Sequence, residues 1–466
     1  MISFRASLML IGTRGNRAPV VLTGTCVLFT IITGTLSLSC IEITHLISRC
    51  TGFMRLKKLL TTEGVNANGA STSAQQPYTG MRFPALDGLR GLAALGVAVF
   101  HYMIGPSFKL PWLARTLRLC SRSPLSIETF FVLSGFLIGG ILLRLKDAPD
   151  YYRAFYTRRA LRIWPLYYLW VGLYCVFFLA THSAAPPGMT RTFYLSSFLL
   201  FFQSFYPAIL TSSIMLLPTW SLVAEEHFYV LIPVVVRHFS SRGLARVLIG
   251  ILIAVPLCRL GFFKFIGHES EWADMVARYW PTFQADALAM GVLFAIAWES
   301  QKVRDWLRRH RALFGWGMFA GSGLAILLGC LRDAHTPHSR LLEATFGRSA
   351  QELGCLALIV YLVCHPGGAV GRFLSSKTLR DFGKISYCIY LIHSGVLWMI
   401  FRFLLHKRVG ENLWLDLLVA PVALFVTVAM AKISWIYFER PLLQWARGVP
   451  QPSCVLPVSA SVPASS

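Results

Sequence analysis

The chain has 466 residues, 55% hydrophobic and only 14% charged, with a formal net charge of +23 from 44 Lys and Arg against 21 Asp and Glu. Soluble domains carry roughly 25% charged residues, so this composition excludes a string of soluble domains and predicts an all-α, polytopic membrane bundle. The positive balance does not indicate nucleic-acid binding, because the basic residues gather in short loops between apolar runs and no recognition fold is visible.

Residues 1–80 read as an extension, with a weak apolar stretch at 18–43 diluted by Thr, Ser and Gly and a polar linker at 55–80. An extra span, an uncleaved signal-like segment, and sequence upstream of a true start at Met54 or Met81 are the alternatives for it. The membrane domain occupies 81–445. Apolar windows long enough to span lie near 86–104, 126–144, 163–181, 220–237, 246–264, 283–299, 313–330, 347–364, 385–404 and 414–436, which makes ten. The apolar stretch 192–216 reads as re-entrant. The Pro/Ser/Val-rich tail 446–466 reads as disordered.

Charge placement supports that count. Arg144, Lys146, Arg153, Arg158, Arg159 and Arg162 crowd one loop, and 302–311 and 372–384 are also basic, so all three belong on the cytoplasmic side. Glu269, Glu271 and Asp274 fit the outside. These placements agree only if 192–237 crosses an odd number of times. One loop disagrees: 105–124 falls outside yet carries Lys109, Arg115, Arg118 and Arg122, which leaves an anionic acceptor or a local topology error as its readings. The eleven cysteines show no metal-ligand spacing, and Cys175, Cys258, Cys330 and Cys355 in apolar runs read as small core residues. No metal is expected.

Arg90 and His101 stand inside the first apolar window. Ionisable groups at membrane depth cost about 2.5 kcal/mol or more each and usually mark a site or a pathway. Five motifs extend the pattern: Leu86-Asp-Gly-Leu-Arg-Gly-Leu-Ala with His101; Ile127-Glu-Thr-Phe-Phe-Val-Leu-Ser-Gly-Phe-Leu-Ile; Arg158-Arg-Ala-Leu-Arg-Ile-Trp-Pro-Leu-Tyr; Trp220-Ser-Leu-Val-Ala-Glu-Glu-His-Phe-Tyr; and Ile385-Ser-Tyr-Cys-Ile-Tyr-Leu-Ile-His. Glu439-Arg-Pro closes the series. In this order, from Phe83 to Pro441, they resemble the integral-membrane acyltransferase 3 family. The resemblance implies transfer of an acyl group from coenzyme A to hydroxyls of extracytoplasmic carbohydrates. Thr129, where that family is usually apolar, is a small departure.

Within that frame His101 is the candidate general base, since imidazole titrates near neutrality; a histidine satisfied by a carbonyl or water is the other reading. Glu128 would orient or charge-stabilise it if the first two helices are antiparallel neighbours, or else is a snorkelling carboxylate. Arg158 and Arg162 share a helical face. With Arg159 and Arg90 they are the expected donor-binding set, against ordinary positive-inside anchoring or, for Arg90, a local pair with Asp87. Trp220, Ser221, Glu225, Asp286, Tyr387 and His393 are assigned to substrate binding or structure, and Ser134 to helix packing. The expected protein is an O-acyltransferase of the inner (cell) membrane with an acyl-CoA donor, acetyl-CoA favoured, and a glycan acceptor. Direct transfer is favoured over an acyl-histidine intermediate. A transporter and a non-catalytic glycan-export partner are the alternatives; the oligomeric state is not readable.

Overall fold

Ten helices long and apolar enough to cross a membrane run through the computed structural model, which describes residues 83–266, 271–333 and 339–447. We label them α1 (Pro84–Ser107), α2 (Ile127–Leu145), α3 (Tyr151–Ala180), α4 (Trp220–His238), α5 (Ser241–Ile266), α6 (Ala285–Glu299), α7 (Arg311–Asp333), α8 (Arg348–Cys364), α9 (Lys377–Met399) and α10 (Leu413–Ser434). Among the described residues there is no strand. The chain is a multi-pass helical membrane protein. The extension 1–80, with its stretch 18–43, and the tail from 448 onward lie outside the described residues.

The helices match the apolar windows closely except at α3, which starts at Tyr151 rather than near 163. Its first three turns are too basic to register as a membrane window. They are nonetheless amphipathic: Tyr151, Ala154 and Phe155 are buried, at the spacing of one helical face. The Tyr151 hydroxyl donates to the Pro233 carbonyl of α4 at 3.0 Å. The basic residues expected in a loop therefore decorate a helix. The cysteine reading is also corrected, since Cys258 and Cys330 are exposed on the outer faces of α5 and α7 while Cys355 is buried.

Between α3 and α4 a short helix, Arg191–Leu199, and three shorter turns leave and return to the same end of the bundle. Their depth is set by Tyr167, whose hydroxyl donates to the Phe198 carbonyl at 2.7 Å and accepts from Gln203 Nε2 at 3.2 Å. Tyr167 lies thirteen residues before the end of α3, about 20 Å along the axis at 1.5 Å per residue. The segment thus reaches the middle of the bundle, and its backbone is tolerated there because protein, not lipid, surrounds it.

Helices α1 and α9 run parallel in direct contact. A Cβ on Gly383 would overlap the Asp87 carbonyl, and one on Gly91 would meet the backbone at Gly383. Helices α2 and α6 are equally close, with the Leu288 carbonyl against Gly135 and the Val132 carbonyl against Gly291. Neither backbone can yield to a side chain here. Gly135→Val should therefore lower stability by at least about 1–3 kcal/mol, read as a lower unfolding midpoint in detergent. Gly250→Val, at a position with open space around it, should leave the midpoint unchanged.

A buried ionic cluster ties four helices together. Arg259 of α5, fully buried, donates to Asp286 of α6 at 2.6 Å and to the Phe283 carbonyl at 2.7 Å. It also stands 3.6 Å from Glu352 of α8. Arg348 of α8 lies 3.7 Å from Glu352 and 3.6 Å from Glu128 of α2. Arg122 of the anomalous basic loop joins a similar chain of ion pairs. Arg122 pairs with Glu343 at 3.3 Å, and Glu343 with Arg332 at 2.8 Å; Arg332 reaches Asp274 at 2.6 Å. Lys109 Nζ donates to the Glu411 carbonyl.

Candidate active site

A cavity of about 110 Å³ opens among α1, α2, α3, α4 and α9. Its charged and polar wall is Arg90, Arg159, Arg162, Glu225, Ser134 and Tyr229, with Ser221, Tyr387 and Tyr390 on the deeper side. Seven of the residues singled out in the sequence meet in this one space: Arg90, Ser134, Arg159, Arg162, Ser221, Glu225 and Tyr387. Arg158 and Trp220 do not line it. The expected Arg158–Arg162 face is therefore replaced by Arg159 and Arg162, three residues apart and also neighbours on a helix. Arg162 is exposed and Arg159 half-buried, and the Arg159 guanidinium lies 5.4 Å from the centre of the Tyr229 ring. Among the described residues Arg90 makes no close salt bridge with Asp87, which is exposed.

Glu225 is fixed by two donors. Ser134 Oγ donates to one carboxylate oxygen at 3.0 Å and the Tyr229 hydroxyl to the other at 2.7 Å. Ser134, expected to serve packing alone, thus also holds a cavity carboxylate. Glu226, one step round the helix, accepts from Trp164 Nε1 at 3.1 Å. The Tyr387 hydroxyl donates to the Ile163 carbonyl at 2.9 Å, which locks α9 to α3 beside the arginines. Trp220 packs instead against Phe131 and Tyr279, with ring centres 6.0 and 5.5 Å away.

The inner wall of the cavity is Tyr390, whose hydroxyl is 2.6 Å from Ser221 Oγ and donates to the Pro218 carbonyl at 3.0 Å. Its ring centre lies 6.0 Å from that of His393. His393 in turn meets His101, with His393 Nε2 at 3.3 Å from His101 Nδ1. Eleven residues separate Arg90 from His101, about three helical turns and 16 Å. The two side chains therefore stand on nearly the same face of α1.

Glu128 is placed elsewhere. Its carboxylate accepts from Gln351 Nε2 at 3.2 Å and faces Arg348; no hydrogen bond or ion pair joins it to His101. The neighbour expected for the histidine is thus a second histidine from α9, while the α2 carboxylate turns towards α8. Asp286 is likewise claimed by Arg259, away from the cavity. Gln351, Glu352 and Arg259 were not found in the sequence. A lone arginine within an apolar helix needs a buried partner, so Arg259 carried a usable signal. Among the described residues no group of His, Cys, Asp and Glu could hold a metal ion.

Comparison with known proteins places this geometry. The family profile described as an acyltransferase domain, the third of its name, matches residues 83–435. The chain is 24% identical over 380 residues to "O-acetyltransferase OatA" of Staphylococcus aureus (strain NCTC 8325 / PS 47), covering 79% of this chain and 58% of that protein. It is 26% identical over 376 residues to "Putative peptidoglycan O-acetyltransferase YrhL" of Bacillus subtilis (strain 168), covering 77% of this chain and 54% of that one. The chain thus spans little more than half the length of these relatives. No solved structure matches it. With the profile match running from the start of α1 into the end of α10, through every residue that lines the cavity, the chain belongs to the acyltransferase 3 family.

Proposed function

We propose that this protein transfers a short acyl group, acetyl in the favoured case, from acyl-CoA to a carbohydrate hydroxyl across the cell membrane. The observation that carries the reading is one continuous arrangement: three arginines around a cavity, Tyr390 as its inner wall, and a histidine pair immediately beyond. The basic ends of α2, α3 and α9 belong on the cytoplasmic side of an inner membrane by the charge rule, so the donor enters there. The names of the relatives support acetyl as the group and, for the Bacillus protein, peptidoglycan as the acceptor.

The residues present fit such a donor. Guanidinium groups suit phosphates through charge-assisted, forked hydrogen bonds, and the mouth of the cavity holds Arg162 with Arg159 and Arg90 behind it. The acceptor hydroxyl gives its proton to His101 as its oxygen bonds to the acyl carbon. The carbon–sulfur bond breaks, and the thiolate leaves to be reprotonated. Glu225, held by Ser134 and Tyr229, is a fixed acceptor for the amide or hydroxyl groups of a bound arm.

Membranes holding the protein, incubated with acetyl-CoA labelled in the acetyl group, should pass label into the host's glycan fraction; membranes lacking it should not. Label that enters the lumen without joining carbohydrate would point to transport instead. Arg159→Ala or Arg162→Ala should raise the KM for acetyl-CoA about 10–100-fold, the equivalent of one charge-assisted hydrogen bond. Arg158→Ala, which removes the same charge from outside the cavity, should change it less than threefold (about the scatter of a surface substitution). Equal effects at all three positions would favour simple topological anchoring.

A further inference from the structure

The mechanism above asks His101 for a bare ring nitrogen, and hydrogen bonding decides which one is bare. Nδ1 of His101 lies 2.8 Å from the Val97 carbonyl oxygen. A carbonyl oxygen can only accept, so Nδ1 carries the hydrogen. The same argument applies to His393, whose Nδ1 lies 2.7 Å from the Tyr390 carbonyl. Neutral His393 therefore presents Nε2 as a lone pair, and that lone pair is the atom 3.3 Å from His101 Nδ1. The hydrogen on His101 Nδ1 is shared between Val97 O and His393 Nε2, which leaves His101 Nε2 as the proton-accepting atom. His393 is fully buried, and its own carbonyl accepts from the Tyr102 hydroxyl at 3.1 Å while that hydroxyl pairs with Thr427 at 2.8 Å. The backbone that carries this ring is thus tied to α1 directly and, through Tyr102, to Thr427 of α10.

We infer that His393 is a positioning residue: through its Nε2 lone pair it holds His101 in the tautomer with Nε2 bare and steadies the positive ring formed when that atom takes a proton. The role is the one a carboxylate plays behind a catalytic histidine, filled here by a neutral acceptor. A neutral acceptor does not bring a second charge to membrane depth, where charge is costly. This inference rests on the reading of His101 as the base.

The test compares His393→Gln, His393→Asn and His393→Leu with wild type and His101→Ala, all quantified as folded protein by gel filtration. Glutamine reaches an acceptor oxygen to about the place of Nε2. Asparagine reaches only the Nδ1 position, where it can still bond the Tyr390 carbonyl, and leucine offers no acceptor. His393→Asn and His393→Leu should lower kcat about 10–100-fold, by analogy with the loss of a partner that orients a metal-ligating histidine, with the KM for acetyl-CoA unchanged. His393→Gln should recover most of the rate. Should the leucine variant not fold, the contrast of asparagine with glutamine carries the same information. An asparagine variant as fast as wild type beside a slow His101→Ala overturns the inference alone. Equal losses in asparagine and glutamine with a raised KM also overturn it, since they indicate packing. A fast His101→Ala overturns the reading of the base itself.

Discussion

His101→Ala is expected to lower turnover about 10²–10⁴-fold, the usual contribution of a positioned acid or base, while leaving donor affinity where it was. The split between kcat and affinity follows from the layout. The residues expected to meet the donor phosphates are Arg90, Arg159 and Arg162, and none of them touches the histidine; His101 lies beyond Tyr390, past the cavity wall. Truncating the imidazole removes a ring that packs 5.3 Å from Phe100 and 4.9 Å from His393, so folding must be checked by unfolding midpoint in detergent. With matched folded protein and labelled acetyl-CoA, a rate within twofold of wild type would remove His101 from the chemistry. A loss seen only as raised KM would move it into donor binding.

Arg259→Met should cost about 3–5 kcal/mol of stability, the range for breaking a buried ion pair by removing one partner. The cluster holds three carboxylates, Asp286, Glu352 and Glu128, against two guanidiniums, Arg259 and Arg348. Arg259, Asp286 and Glu352 are all essentially inaccessible. Without Arg259 the buried Asp286 carboxylate loses its arginine donor. Thermal unfolding of purified protein in detergent measures the effect. The combined change Arg259→Met with Asp286→Leu should recover much of the loss, because an apolar pair leaves no uncompensated charge. An unchanged midpoint in Arg259→Met would mean that the cluster contributes nothing to folding.

Helix number and position were legible because crossing a bilayer demands a long apolar window, and hydropathy reports that demand directly. The first turns of α3 escaped it because their burial is one-sided and their other face is basic. The re-entrant segment was legible only through charge parity, not from its own sequence. Within the site, spacing along a single helix carried real information. Eleven residues put Arg90 nearly in line with His101, and four put Glu225 beside Tyr229. Contacts between helices were another matter. The neighbours of Glu128 lie more than two hundred residues away on α8, and no periodicity in α2 says which face meets which helix. His101 and His393 were each visible as polar groups in apolar runs, yet their pairing depends on α1 and α9 being parallel neighbours, a fact of tertiary packing alone.

That parallel pair has a further consequence for how such a chain can vary. Gly91 precedes His101 by ten residues and Gly383 precedes His393 by ten, so the two rods share one ruler measured from their glycine crossing. Inserting a single residue after either glycine would turn its histidine by about 100° and slide it by about 1.5 Å, and the pair would part. Matching insertions in both rods would carry the pair along together, but would move it out of line with Arg90. Length changes are therefore confined to the loops, while α1 between Arg90 and His101 and α9 between Gly383 and His393 admit substitution but neither insertion nor deletion.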